Sequence, residues 1–570
     1  MRKLYGWEFT GEKIDTLLMS RMQRPERKLP PMCPKFDAHG KPTGPHSVLA
    51  WSYRLGGNLK LDHEDWSQFS EDMLARCVRD CELQYDIYEA LLEEGKDEGW
   101  ERAHKLNHKL FHYLQMQEEY GWLIDKKWFE FCIRVLDRYI ALIDKRVVPQ
   151  LPLVTEILET KKDGEYGYIR KPFKKDGSYS EAAKEFLGER VTDCAGPFSR
   201  MEFRPTDINS NSETKDFLLA QGWEPAEWNT NNEGKRTSPK LSKDDPFEGI
   251  EGELGRAVAR RVQARHRKSQ ITGWLEGIRP DGRLTPEVGG VATTGRLKHK
   301  NIVNVPNTDS FFGKQMRKGF ICKPGWVLVG TDSKGNQMRQ LIGRLKALDG
   351  VGDTALEQAE LNGKKELGTD THTLNQKRSG VATRTLAKNF FYGCILFGAG
   401  DKKTAKILGS NIERAREKKA EFFNEMPLLR RLLDTEIEKW RNTANKWWDK
   451  RRQKWNYENG YITGLDGRPI LVQYEKDILV YYLQSDEAIQ MAAAYCVLHK
   501  WLERAGYKWK EDYGFVIWMH DEYVIECREE IAEHVAELSR RAIAWAGEYF
   551  RIQCPHEGAS KIGKNWKEVH

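Results

Sequence analysis

Cysteine is scarce and unpatterned in this chain: ten among 570 residues, with no CxxC pair and only Cys77 and Cys81 a helical turn apart. No histidine cluster stands at zinc-ligand spacing either, so a disulfide framework and a structural zinc are both excluded and a reducing compartment is expected. There is no apolar run long enough to span a bilayer and no secretory leader, which makes the cytoplasm the expected location, without membrane partners. Charge of one sign is lacking too. Lys and Arg number 92 against 85 Asp and Glu, a formal +7, so any polyanion must be met by local concentrations of base. No internal repeat is evident. What is abundant is aromatic: 19 Trp, 21 Tyr and 22 Phe. They suffice for several cores and for stacking on planar ligands, in a chain whose length implies roughly three to four domains or subdomains.

The most informative motif is His520-Asp521-Glu522, set between two short apolar runs, 515–519 and 523–525, that read as β-strands. Adjacent carboxylates at the tip of a core hairpin are costly unless something compensates their charge, and a divalent cation is the simplest compensation. A second acid has the same layout: the run 326–331 ends at Asp332, and Met338, Leu341, Ile342 and Leu345 then recur at helical spacing. Two carboxylates at strand ends suit Mg²⁺, and a pair of such ions clamps the oxygens of phosphoryl transfer. Singly, each acid has an ordinary reading, as a helix N-cap or a solvated turn.

Between them lies Arg384-xxx-Lys388-xxx-Tyr392. On a helix these three share one slowly drifting face, a guanidinium, an ammonium and a ring at successive turns. Such a face can hold a triphosphate and lie under a base. His372 adds a further phosphate donor. The alternative is an exposed basic helix with one aromatic anchor.

Together the runs 332–339, Arg384 to Gly393 and His520-Asp521-Glu522 resemble motifs A, B and C of family A DNA polymerases, in the same order and spacing. Thr294-Gly295-Arg296, the run 301–306, the stretch 464–468 ending at Arg468, and Gln484-Ser485 opening a helix are similar as well. The resemblance is greatest to short-tailed bacteriophage replicases that use thioredoxin as a processivity factor. It implies an α+β right-hand polymerase, a palm with an antiparallel sheet and helical fingers and thumb, preceded by a partial exonuclease-like domain. It also implies roles. Asp332 and Asp521 would ligate two Mg²⁺ ions, with the Ser333 carbonyl completing the set and Glu522 close by. Arg384, Lys388 and His372 would grip the incoming dNTP, Tyr392 would lie against its sugar and base, and Lys388 would protonate the departing pyrophosphate. Arg296, Gln484, His520 and Arg468 would touch primer–template DNA. A single-subunit RNA polymerase and a catalytically silent DNA-binding subunit are the competing readings.

Departures from the family pattern carry expectations of their own. Gln337 stands where the family has Glu, so sugar selection would rest on bulk and on a neutral hydrogen bond to Tyr392. One extra residue between Tyr392 and Gly398 predicts a π-bulge. Val480 replaces an Asn expected to reach the minor groove. Residues 1–100 read as the degenerate back half of a 3′→5′ exonuclease, with Asp80 the sole surviving metal carboxylate and Arg76 beside it; this chain alone is not expected to proofread. Apolar faces at Leu17, Leu18, Met19 and Met22, and at Met73, Leu74 and Val78, then suggest a separate exonuclease subunit.

The remaining boundaries are a thumb over 101–284 with a polar insert at about 154–205, the place of the thioredoxin site in relatives, palm over 285–348 and 465–570, and fingers over 349–464. The polar stretches 207–215 and 229–245 read as loops. Two basic clusters suit phosphate and base contacts: Arg256, Arg260, Arg261, Arg265, Arg267 and Lys268 on one helix, and the segment 440–457, where Trp447, Trp448 and Trp455 alternate with Lys446, Lys450, Arg451, Arg452 and Lys454. Either cluster can instead be a solvated face.

Overall fold

The computed structural model describes residues 11–37, 40–56, 60–61, 67–157, 168–169, 173–188, 198–199, 201–231, 235–241, 245–451 and 453–570. The chain divides into two compact units, one of Met1–Ile124, Gly277–Val305 and Arg317–His570, the other of Asp125–Glu276 and Pro306–Met316.

The first unit is built on a four-stranded antiparallel sheet in the order Tyr513–Met519, Glu522–Arg528, Trp326–Ser333, Gly558–Gly563. The central strands are apolar without alternation because helices cover the sheet, and Val327, Val329, Phe515 and Ile525 are all buried. Ile478–Arg504 and Ala532–Tyr549 supply the covering layer, joined by Trp100–Tyr120. Ala492, Ala493 and Ala494 in the first of these helices allow close approach, while Tyr495 stacks on Trp518 at 5.3 Å. The helix Asn336–Asp349 buries Met338, Leu341, Ile342 and Leu345, as their spacing predicts, against Phe390, Phe391 and Phe422.

The helical stretch 101–153 is made of two helices. Trp100–Tyr120 ends at Gly121, whose φ of 71° a residue with a side chain rarely adopts, and Lys126–Val147 begins after a short strand paired with Arg283–Leu284. The two helices fall in different units.

In the second unit Lys126–Val147 packs on Glu253–Glu276 around Val147, Phe217, Trp223 and Val258. The polar stretches expected to be loops contain a helix, Asn211–Ala220, and a hairpin, Trp228–Thr230 with Arg236–Pro239. Local capping made the difference for the helix: the Ser210 hydroxyl accepts the Glu213 N–H, and Phe217 and Leu218 on its other side are buried. The expected insert is bounded by paired strands, Leu153–Ile157 with Met201–Pro205 and Tyr168–Ile169 with Phe198–Ser199. Much of what lies between them falls outside the described residues.

The amino-terminal helices Thr16–Gln23, Val48–Leu55 and Glu71–Glu94 gather Met19, Trp51, Ile87 and Leu91 into a small core. Leu18 and Met19, expected to be bare, are therefore buried, whereas Leu17, Leu74 and Val78 are exposed. Asp80 forms an ion pair with Arg76 at 3.7 Å. Among the described residues no helix is long and apolar enough to cross a membrane.

Candidate functional site: a carboxylate pair and a cationic helix

Tyr513–Met519 and Glu522–Arg528 are joined by a two-residue turn, His520-Asp521, closed by the pair Met519 and Glu522. His520 holds a left-handed φ of 58°, and its carbonyl accepts the Trp518 indole N–H at 2.8 Å. The turn is tied to the neighbouring strand where the Ser333 N–H donates to the Asp521 carbonyl at 2.9 Å, with Asp332 in register opposite Glu522. The sheet thus brings Asp332 and Asp521 together.

Neither aspartate forms an ion pair among the described residues, and both carboxyls are pushed above the ordinary range. For Asp332 the value rises to about 6, through burial and then the charge of Glu522; the side chain keeps an open edge to solvent. For Asp521 it rises to about 7, through burial, then Glu487, then Asp332. Concentrated negative charge of this kind fits a divalent cation. No group of three or more His, Cys, Asp or Glu is placed to hold a metal among the described residues. Two carboxylates with further oxygens from elsewhere is the ligand set Mg²⁺ takes when substrate phosphates complete its shell.

Glu522 is more constrained than the motif alone suggests. One oxygen accepts the Trp566 indole N–H at 3.3 Å and the other lies 2.9 Å from His570 Nδ1. It acts on Asp332 through its charge.

The cationic element stands on Thr383, whose hydroxyl caps the helix Arg384–Asn389. Arg384 is already partnered by Asp370, at 2.5 Å from Nη2 to Oδ2, and Asp370 in turn caps the helix Thr371–Ser379 that carries His372. Arg384 holds the Asp370 carboxyl well below the usual carboxylate range. His372 meets Tyr392 edge-on at 5.8 Å, and its Nδ1 is buried with no hydrogen-bond partner among the described residues. Burial, and then Arg384 and Lys388, keep its imidazole neutral at lower pH than usual. Lys388 is exposed. After Asn389 the helix widens into a π-helix over Phe390–Leu396, with the Phe397 N–H bonded to the Tyr392 carbonyl five residues back. The surplus residue is accommodated where the sequence predicts, and it carries Tyr392.

The turn 292–296 closes with Gly295 at φ 82° and lies against Ala488. It presents Arg296 to Glu487, and Gln337 donates to the other oxygen of Glu487 at 2.9 Å. The expected hydrogen bond from Gln337 to Tyr392 is replaced by this one. His520 is pushed down to about 4 by burial and then by Arg296.

Gln484 is half-buried in the second turn of a helix that starts at Ile478, six residues earlier than its sequence suggested. Arg468 is the one expected DNA contact that the structure turns inward: it is buried, with Nε 2.9 Å from both oxygens of Asp466, because a guanidinium in a tight turn is stabilised by the carboxylate two residues before it.

Of the two basic clusters, the helical one is partly structural. Arg261 and Arg267 are buried, Arg261 is held by Asp144 and by the Ile208 carbonyl, and Lys268 pairs with Asp137, while Arg256 and Arg265 remain exposed. The other is a hairpin, Asn445–Asp449 with Lys454–Glu458, on which Trp447, Trp448 and Trp455 are 43, 41 and 49% exposed. Arg452 lies outside the described residues.

Sequence reasoning missed Glu487 and the pairing of Asp370 with Arg384. The signal for the first was an Asp-Glu pair that holds the only acids of a largely apolar stretch, 478–499.

Comparison with known proteins gives the arrangement its context. The profile of DNA polymerase family A matches residues 179–568. The DNA-directed DNA polymerases of Enterobacteria phage T3 and Escherichia phage T7 are each 27% identical over 98% of this chain and 88% of their own length. The thermostable DNA polymerase I of Thermus aquaticus is 24% identical over 69% of this chain and 45% of its own. In fold, the chain is similar to the polymerase domain of Pol1 from M. smegmatis, solved with DNA primer-template and dNTP, at a TM-score of 0.67 and 16% identity, covering 99% of this chain and 84% of that one. A strand-end aspartate pair, a capped cationic helix and a family match over most of the length agree: the chain belongs to the family A DNA polymerases and is a template-directed DNA polymerase.

Proposed function

We propose that this polymerase adds dNTPs to a primer 3′ end at the site formed by Asp332, Asp521 and the helix from Arg384, with two Mg²⁺ ions as cofactors. The observation that carries the reading is the hydrogen bond from Ser333 to Asp521, which ties together the ends of the two central strands where both carboxylates stand, each pushed above its ordinary range. Bound Mg²⁺ would supply activation of the 3′-hydroxyl and charge neutralisation at the leaving phosphates. Asp332, Asp521 and the Ser333 carbonyl would hold it. Arg384, Lys388 and His372 would bind the triphosphate, and Lys388, exposed and at the second turn of its helix, would give a proton to pyrophosphate. Tyr392, fixed by the π-helix and by the edge of His372, would bear on the nucleotide sugar, with Gln337 beyond it. Arg296, Gln484 and His520 would contact the primer end, where minor-groove acceptors common to all pairs report pair geometry.

Catalysis of phosphoryl transfer at such a site is mainly a matter of positioning and charge stabilisation of the transition state, which is why so few side chains are needed. The exposed Trp447 and Trp455 with Lys446 and Lys454 suit an unpaired template strand. A processivity factor at the paired-strand insert, thioredoxin-like by resemblance, and a nuclease subunit seated on Leu17, Leu74 and Val78 are further partners in this reading; copurification and a stimulated synthesis length test both.

The decisive experiment is extension of a labelled primer–template with Mg²⁺ and either dNTPs or NTPs. Extension with dNTPs, abolished in Asp521→Ala, is expected. Extension by Asp521→Ala at the wild-type rate would refute the assignment of the site.

A further inference from the structure

Glu487 is a carboxylate in the wrong kind of place. It lies in the helix Ile478–Arg504 among Leu483, Ala488 and Ile489, and is 2% exposed. Burying an ionised carboxylate costs several kcal/mol unless its oxygens are satisfied, and both are. One accepts Arg296 Nη2 and the other accepts Gln337 Nε2 at 2.9 Å. Those two donors come from separate elements. Arg296 sits on the turn 292–296, and Gln337 is the second residue of the helix that follows Asp332. Since both oxygens are engaged by donors, Glu487 is not free to serve as a further metal ligand.

We propose that Glu487 is a positioning residue of the polymerase site, a buried carboxylate that locks Arg296 and Gln337 into one unit between the primer end and the sugar of the incoming nucleotide and so sets selection for deoxyribose. The inference rests on the placement of the site proposed above. Its physical content is the division of labour within the pair. Gln337 has no charge and reaches the sugar side as a neutral amide, while the carboxylate that orients it stands one helix away, where it also pins Arg296. A glutamine at 487 could accept from only one of the two donors through its single carbonyl oxygen and would turn its own N–H₂ toward the other. Arg296 would then keep a half-buried charge without its counterion. A glutamate at 337 would instead add a further negative charge beside Asp332, Asp521 and Glu487.

Single-turnover incorporation of a dNTP and of the matching NTP by the full chain, in wild type, Glu487→Gln, Gln337→Glu and the double variant Gln337→Glu/Glu487→Gln, tests this. Glu487→Gln is expected to weaken dNTP binding and to narrow the dNTP-to-NTP preference by about tenfold, the effect of losing one charge-assisted hydrogen bond, with a smaller change in the maximal rate. The double variant, which moves the carboxylate to the other member of the pair, should recover the preference to within about threefold of wild type, since coupled neighbours are non-additive. Burst amplitude measures the fraction of active enzyme, so a folding defect lowers the amplitude and leaves the preference intact. Unchanged nucleotide affinity and preference in Glu487→Gln, or a double variant no better than the worse single one, would overturn the proposal. Failure of wild type to extend a primer at all would overturn the site reading itself, a separate outcome.

Discussion

Replacing Arg344 by methionine should destabilise the first unit far more than the loss of an ordinary surface ion pair. Arg344, on the helix after the Asp332 strand, donates through Nε and Nη2 to the two oxygens of Asp486, both at 2.8 Å, and its guanidinium lies 4.1 Å over the Tyr482 ring. Asp486 is 0% exposed. Burial pushes its carboxyl up, and Arg344 is the main group opposing that rise. Arg344→Met therefore strands a carboxylate in the core, at a cost of about 3–5 kcal/mol. At ~2.1 cal/mol/K per residue over a unit of roughly 400 residues, each kcal/mol lowers the thermal midpoint by about 1.2 °C, so the midpoint should fall by about 4–6 °C. Arg344→Met/Asp486→Leu should recover most of this, because an apolar pair of similar volume needs no compensation. Differential scanning calorimetry of wild type, the single and the double variant provides the measurement. A single variant within about 1 kcal/mol of wild type, the range of exposed pairs, or a double variant as unstable as the single, would refute the reasoning.

Three further outcomes are expected. Because the native carboxyls of Asp332 and Asp521 lie near 6 and 7, above their unfolded values, the native state binds more protons and loses stability from these groups as pH rises through that window. Mg²⁺ replaces those protons, so it should raise the melting temperature more at about pH 8 than at about pH 5.5; an equal increment at both would contradict the assignment. Lys388→Arg should slow single-turnover chemistry by about a hundredfold with nucleotide affinity little changed, whereas equal losses in both would reduce Lys388 to a phosphate ligand. Trp447→Ala/Trp455→Ala should weaken binding of a primer–template with a long single-stranded overhang by about tenfold at constant salt slope, and leave a blunt duplex alone. Equal weakening of both substrates would argue against stacking.

Those parts of the molecule written in local pattern were legible before the structure. The apolar runs flanking His520-Asp521-Glu522 form the predicted strands, because a hairpin with a two-residue turn is specified by neighbours in sequence. The π-helix at Phe390–Leu396 was readable as one residue too many between two fixed points. Where short polar elements depend on capping or on cross-strand pairing, reading failed: 207–215 and 229–245 conceal a helix and a hairpin, and the alternation of Trp with Lys in 445–458 is that of a two-stranded ribbon.

The most instructive failure is the Asp486-Glu487 pair, since its sequence signal was present and underused. Inside a helix as apolar as Ile478–Arg504, each acid demands a partner, for an uncompensated buried carboxylate would cost several kcal/mol. Adjacent helical residues point about 100° apart, so one partner cannot serve both. Two separate donor sets must therefore approach that helix from two sides. The structure supplies them, Arg344 for Asp486 and Arg296 with Gln337 for Glu487, from sequence distances of 142, 191 and 150 residues. The existence of the partners follows from electrostatics and helix geometry alone. Their identity requires the fold, because only the sheet and its covering helices bring the turn at Arg296 and the helix after Asp332 to the same stretch of Ile478–Arg504. That stretch adjoins the two aspartates, so the charges that hold the core together also set the groups expected to read the primer end and the sugar.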